Sequence, residues 1–127
     1  MDDLTLHQFH SSGNCYKIRL TAALLGVKLK AIQYDIKKGE TRTPEYLSNI
    51  NSAGRIPVLQ IGEDKFLPES DAACYYLATG SNLIPTDRLE HAEVLRWMFF
   101  EQYQHETNIA TLRWWITYVG VDNLSDE

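Results

Sequence analysis

Asn51-Ser52-Ala53-Gly54-Arg55-Ile56-Pro57-Val58-Leu59, followed by Pro68-Glu69-Ser70-Asp71, is the stretch on which the reading of this chain turns. It predicts a turn, a strand opened by proline, a second short strand and then the start of a helix. Proline has no backbone donor, so Pro57 ahead of the apolar run Val58-Leu59-Gln60-Ile61 belongs at the first residue of a strand or on an edge. The Ile56 backbone is thereby left to pair with something else. On local grounds the Ile56–Pro57 bond is expected trans, since only about one X-Pro bond in twenty is cis in folded proteins.

Ser70 precedes good helix formers, Ala72 to Ala78, that stop at Thr79-Gly80. Ser70 is therefore the expected N-cap and Gly80 the expected C′ residue. Such a helix start favours an anion, yet Glu69 and Asp71 flank it and repel a simple phosphate or carboxylate. A zwitterion resolves the conflict. An α-amino acid end can set its carboxylate on Ser70 and the helix N–H groups and its ammonium on Glu69 or Asp71. The plainer reading of a Ser-Asp pair is an ordinary cap with acidic residues complementing the helix dipole.

Working outward, Leu4 to Phe9 alternates apolar and polar residues, as a strand with one buried face does. Cys15 to Leu25, closed by Gly26, reads as a largely buried helix, and Leu29 to Tyr34 as a second strand. A strand-helix-strand unit of this length is expected to be parallel and right-handed. The loop from Lys37 to Thr43 leads into a short helix at Pro44 to Ser48, with proline in its first turn. The two later strands turn at Gly62-Glu63-Asp64. The fold class is α/β, βαβ and then ββα.

The first strand-to-helix turn is where chemistry is expected. Ser11, Ser12 and Asn14 crowd the positive end of a helix, and a thiol set against such donors ionises more easily. The nucleophile would then belong to the substrate. Ser and Asn are equally the preferred N-cap residues, and capping alone accounts for them in most sequences. The turn reads Ser12-Gly13-Asn14-Cys15, a C-x-x-C pair without its leading thiol, so dithiol exchange by the protein is disfavoured. Cys15 is read as an inert first-turn residue, with a mixed disulfide as the alternative, and Cys74 as core.

The chain has 127 residues, 44% of them hydrophobic, with a net charge of −5. That is one domain's length with enough apolar content for a core. An acidic balance argues against nucleic acid or an anionic membrane surface as main partner. Met1-Asp2-Asp3 is acidic where a signal peptide is basic, and no apolar run approaches the ~20 residues of a membrane span. Two distant cysteines suit a reducing cytoplasm. His7, His10, His91 and His105 have no ligand spacing, so no metal is expected.

After Gly80 the composition changes. Residues 81–87 read as a linker, and Thr86 or Asp87 caps a long amphipathic helix with Ala92, Leu95, Phe99, Gln102 and Tyr103 near one stripe. His105-Glu106-Thr107-Asn108 is the expected break, with helix resuming from Ile109 to Tyr118.

The order Pro44-Glu45-Tyr46-Leu47, then Asn51-x-x-Gly54-x-Ile56-Pro57-x-Leu59, then Glu69-Ser70, resembles the glutathione-binding half of the cytosolic glutathione transferase family. The likeness runs from Leu4 to about Tyr118. It implies a thioredoxin-like domain over residues 1–80 and a cis proline. It also implies that the Ile56 backbone, beside Pro57, pairs with the cysteinyl unit, and that Glu69 and Ser70 hold the γ-glutamyl end. Ser12 falls on the position that contacts the sulfur, with Ser11 as competitor because the register of a short turn is uncertain by one residue. Asn14 resembles the Ser-x-Asn variant of some bacterial members. For the glycine carboxylate the family uses the loop before Pro44, which here offers Lys38, Thr41 and Arg42, Arg42 first. Each can equally be a solvated loop residue. Arg55 is read as exposed.

The residues from 88 to 127 resemble the start of the family's all-helical second domain, whose remaining helices are expected to be missing here. The electrophile site is then incomplete, and Trp114, Trp115 and Tyr118 lack the partners that would bury them. The resemblance implies a homodimer, glutathione as cosubstrate and a small electrophile as second substrate. Two other readings stay open. One is a glutathione-dependent disulfide reductase or peroxidase on the same half-site. The other is a non-catalytic protein-binding or regulatory module.

Overall fold

This computed structural model describes residues 3–124 of the chain. It divides after Ile84 into two compact units. The first opens with β1 (Leu4–Gln8), α1 (Gly13–Leu24) and β2 (Lys30–Gln33). Single 3-10 turns at Ile36–Lys38 and Glu40–Arg42 lead to α2 (Pro44–Asn49), then β3 (Val58–Ile61), β4 (Lys65–Pro68) and α3 (Ser70–Ala78). The sheet order is β2-β1-β3-β4, with β1 parallel to β2, antiparallel to β3, and β3 antiparallel to β4. This mixed sheet with helices is the thioredoxin-like arrangement that the family resemblance implies.

β1 is an inner strand, and that changes its burial. Leu4 and Leu6 are buried as alternation predicts, but His7 and Gln8 are buried too, because strands flank β1 on both sides. β2 shows the converse. It is an edge strand whose four residues are all exposed, so its alternation records no buried face.

α1 starts at Gly13 because the Ser12 hydroxyl accepts the Cys15 N–H at 3.3 Å. It ends in a Schellman arrangement at Gly26, φ +67, where the Val27 N–H reaches the Ala22 carbonyl and the Gly26 N–H reaches that of Ala23. Cys15, Ile18 and Ala22 are buried along one stripe. The helix is less buried than expected, since Leu20 and Leu24 are exposed, Leu24 by 68%. Leu6, Ile18, Val58 and Leu59 are fully enclosed, and each contributes about 1.5–3 kcal/mol by leaving water.

The hairpin turns at Gly62, φ +66, as the sequence predicts, and the Ile56–Pro57 bond is cis rather than trans. In the second unit, Asp87 Oδ1 caps α4 (Arg88–Phe100) by accepting from Leu89 N and Glu90 N at 2.9 and 3.0 Å. The expected break at His105–Asn108 does not occur. The backbone widens to a π-helical pattern over Glu101–Ala110 and continues through α5 (Thr111–Trp114) into a second wide turn, Trp115–Val119. Thr107 and Asn108 turn their side chains back onto the Tyr103 and Gln104 carbonyls and so stay within the helix. Among the described residues no helix is long and apolar enough to cross a membrane.

Candidate functional site

The strand registers bring the chemistry-bearing segments to one end of the sheet. His7 faces Val58 and Val58 faces Pro68, so the exit from β1, the entry to β3 and the exit from β4 lie side by side. Gln33 pairs with Gln8 in the parallel ladder, which puts the segment after β2 at the same end. Ser12 and Asn14, Ile56 and Pro57, Glu69 and Ser70, and the turn bearing Arg42 therefore share one edge of the unit.

At the α1 start, Ser12 is the N-cap, and its side-chain oxygen accepts from Cys15 N. An accepting hydroxyl keeps its own proton to donate elsewhere. Asn14, half-buried in the first turn, engages no other described side chain, and Ser11 is exposed. Cys15 is fully buried and burial pushes its thiol up, against a smaller opposing pull from the Ser12 hydroxyl. A protonated, enclosed thiol is inert.

Arg42 ends the second 3-10 turn and is exposed. Its side chain lies across Gly54, φ +63, where an added Cβ would stand 2.8 Å from Cδ and Nη1. Thr41 is 4% exposed and Lys38 reaches Asp35 at 3.5 Å, so of the three loop candidates Arg42 alone presents an uncommitted side chain at the surface. Pro57 is buried, Arg55 is exposed, and the Ile56 backbone takes no hydrogen bond from another described residue.

Ser70 is the first residue of α3 rather than its cap. Glu69 occupies the cap position at φ +70, ψ 115, and its carbonyl accepts the Ala73 N–H at 3.0 Å. That is a sparsely populated conformation for a residue with a side chain, of the kind that clusters at ligand sites. The Glu69 carboxylate and the Ser70 hydroxyl, the latter on a residue 4% exposed, are engaged by no other described residue. Asp71 is committed to Lys17 of α1 at 2.9 Å, an ion pair about one fifth exposed. The Glu69 carboxylate, by contrast, stands on an exposed residue.

Several contributors have partners too distant in sequence for local patterns to register. His7 Nε2 meets Gln60 Oε1 at 2.9 Å and its Nδ1 meets the Tyr34 hydroxyl at 2.8 Å. The Gln60 amide nitrogen donates to the Gly62 and Glu63 carbonyls, so Gln60 Oε1 is the acceptor and His7 Nε2 the donor. Arg19 spans the turn after β1, donating to Gln8 Oε1 and to the His10 carbonyl. Among the described residues no group of three or more His, Cys, Asp or Glu could hold a metal ion.

The glutathione S-transferase N-terminal domain family matches residues 2–79. A glutathione S-transferase from Pseudomonas fluorescens superposes with a TM-score of 0.86 at 40% identity, over 93% of this chain and 58% of that one. A glutathione transferase homolog from Drosophila mojavensis, solved with bound glutathione, gives 0.85 at 26% identity, over 94% and 56%. The transcriptional regulator URE2 of Saccharomyces cerevisiae is 31% identical over 119 residues, 87% of this chain and 33% of that protein. The chain thus spans little more than half of these solved relatives and a third of the curated one. With the domain model covering most of the chain, this protein belongs to the glutathione S-transferase family.

Proposed function

We propose that this chain supplies the glutathione half-site of a glutathione S-transferase and activates the bound thiol for attack on an electrophile. The observation that carries the reading is a set of unengaged polar groups at one end of the sheet. The side chains of Asn14, Arg42, Glu69 and Ser70 and the backbone of Ile56 meet no hydrogen-bonding partner among the described residues. Together they offer a cation, an anion, a peptide edge and a helix start, which suits a peptide zwitterion with a second carboxylate. Glu69 takes the ammonium and Ser70 the carboxylate of the γ-glutamyl end, Ile56 and Pro57 line the cysteinyl unit, and Arg42 meets the glycine carboxylate. The thiol then lies against the α1 start, where the spare proton of Ser12, with Asn14, stabilises the thiolate.

The glutathione-binding domain in this reading covers residues 1–80, residues 81–87 link, and the helical domain begins at 88. Two buried cysteines outside any disulfide support a cytoplasmic protein, and the family's subunit pairing supports a homodimer. A disulfide or peroxide as second substrate would use the same half-site, and assays with an aryl halide against a disulfide separate the two chemistries. A regulatory role is the second reading, favoured by the likeness to a protein named a transcriptional regulator.

Calorimetric titration with reduced glutathione tests the proposal. Ser70→Ala is expected to abolish binding, and Ser12→Ala to leave affinity intact while raising the pKa of the bound thiol, read from thiolate absorbance. Because Ser12 caps α1, its alanine variant also loses about 1 kcal/mol of stability, so both proteins are compared well below their melting temperatures. Absence of binding at millimolar glutathione by the folded chain refutes the half-site and moves the regulatory reading ahead.

A further inference from the structure

The binding reading gives no role to Tyr46 of the Pro44-Glu45-Tyr46-Leu47 signature or to Asn51 of Asn51-x-x-Gly54. Both donate to one acceptor. The Tyr46 hydroxyl reaches the Arg55 carbonyl at 2.8 Å, and Asn51 Nδ2 reaches the same oxygen at 3.1 Å. We propose that Tyr46 and Asn51 are positioning residues that fix the Ile56 peptide for the cysteinyl backbone of glutathione, an inference that rests on the glutathione reading above.

The argument is geometric. The Arg55 carbonyl and the Ile56 N–H belong to one planar peptide unit, so holding the oxygen sets the direction of the N–H. Two donors on the carbonyl also polarise the unit and strengthen the opposite N–H as a donor. Both donors are themselves held. Tyr46 is 3% exposed, and its ring meets Tyr34 edge-on with centroids 4.9 Å apart. Tyr34 in turn is tied to the buried His7 at 2.8 Å. Asn51 Oδ1 accepts the Ala53 N–H at 3.0 Å, which assigns the amide and leaves Nδ2 for Arg55. The Asn51 N–H bonds the Tyr46 carbonyl at 3.1 Å, so the two donors move as one. Burial pushes the Tyr46 hydroxyl far above its ordinary 10.0, and it remains a donor at any working pH.

Two variants each remove one donor without adding a charge. Tyr46→Phe keeps the ring against Tyr34, and Asn51→Ser keeps an oxygen that can accept from Ala53. Each is expected to weaken glutathione by about 3- to 10-fold, the scale of one hydrogen bond. The Ile56 amide resonance in the ligand-free protein should shift, while those of β1 stay in place. Ile18→Val, which lowers stability and removes none of the loop's hydrogen bonds, should leave both the affinity and the Ile56 resonance unchanged. If wild-type protein binds and both variants bind within twofold of it, the positioning role is overturned. An equal affinity loss in Ile18→Val makes the effect a matter of stability and overturns it as well. Failure of the wild type to bind overturns the glutathione reading and this inference with it.

Discussion

Alanine at Gly54 places two separable demands on the turn into Pro57. Gly54 sits at φ +63, a region that costs a residue with a Cβ roughly 1–2 kcal/mol. The new Cβ would also stand 2.8 Å from Cδ and Nη1 of Arg42 and 2.9 Å from Nε, which forces the arginine to swing away. Arg42 is exposed, so swinging costs little stability. It costs the ligand contact instead, about 3- to 10-fold in affinity for an ion pair open to solvent. Four proteins decide the matter: wild type, Gly54→Ala, Arg42→Ala and the double variant. In urea, Gly54→Ala should lose about 1–2 kcal/mol at unchanged slope whether or not Arg42 is present. In calorimetry with glutathione, Gly54→Ala should weaken binding only while Arg42 is present. Equal affinity losses from Gly54→Ala in both backgrounds would refute the idea that Gly54 seats Arg42 for the ligand.

Ile18 is fully enclosed, so Ile18→Ala should cost about 2–5 kcal/mol in urea unfolding, and a loss under ~1 kcal/mol would contradict its place in the core. Lys17→Gln removes the partly exposed pair to Asp71 and should lower stability by about 1 kcal/mol, less at high salt; salt-independent stability differences would argue against the pair. Burial raises Cys15 from 9.0 and both Tyr34 and Tyr46 from 10.0, so these groups stay protonated in the fold while the unfolded chain releases its protons. Their contribution is therefore intact below about pH 9 and lost as pH rises beyond it, which urea midpoints at neutral and alkaline pH would register. The native protein should also react with a thiol reagent only after unfolding, and fast labelling of Cys15 would contradict its burial.

Legibility in the sequence followed the range of the interactions. Ser12, Gly26, Gly62, Gly80 and Asp87 act through bonds within a few residues, and their types alone predicted caps and turns. Ser70 failed as a predicted cap because Glu69 takes the cap position with a positive φ, which no propensity signals. The cis bond at Pro57 came from the order of motifs, since the local preference pointed the other way. His105 to Asn108 reads as a break by composition, yet with no proline or glycine in it the chain could widen its turns and continue. His7 with Gln60, Arg19 with Gln8 and Lys17 with Asp71 pair residues from different elements, and periodicity carries no record of such pairs. The direction of the Tyr46 hydroxyl belongs to the same group.

The sheet's register has a practical corollary for handling the protein. Ile61 faces Leu4 across β1 and β3, and the Gly62 N–H bonds the Asp3 carbonyl at 2.9 Å, so the hairpin turn is at the far end of the strands from the loops that carry Ser12, Pro57 and Ser70. Glu63 and Asp64 are exposed there. A dye, a biotin or a short inserted peptide attached at this turn gives an immobilised or fluorescent sensor whose reporter is a strand's length away from the chemistry it reports.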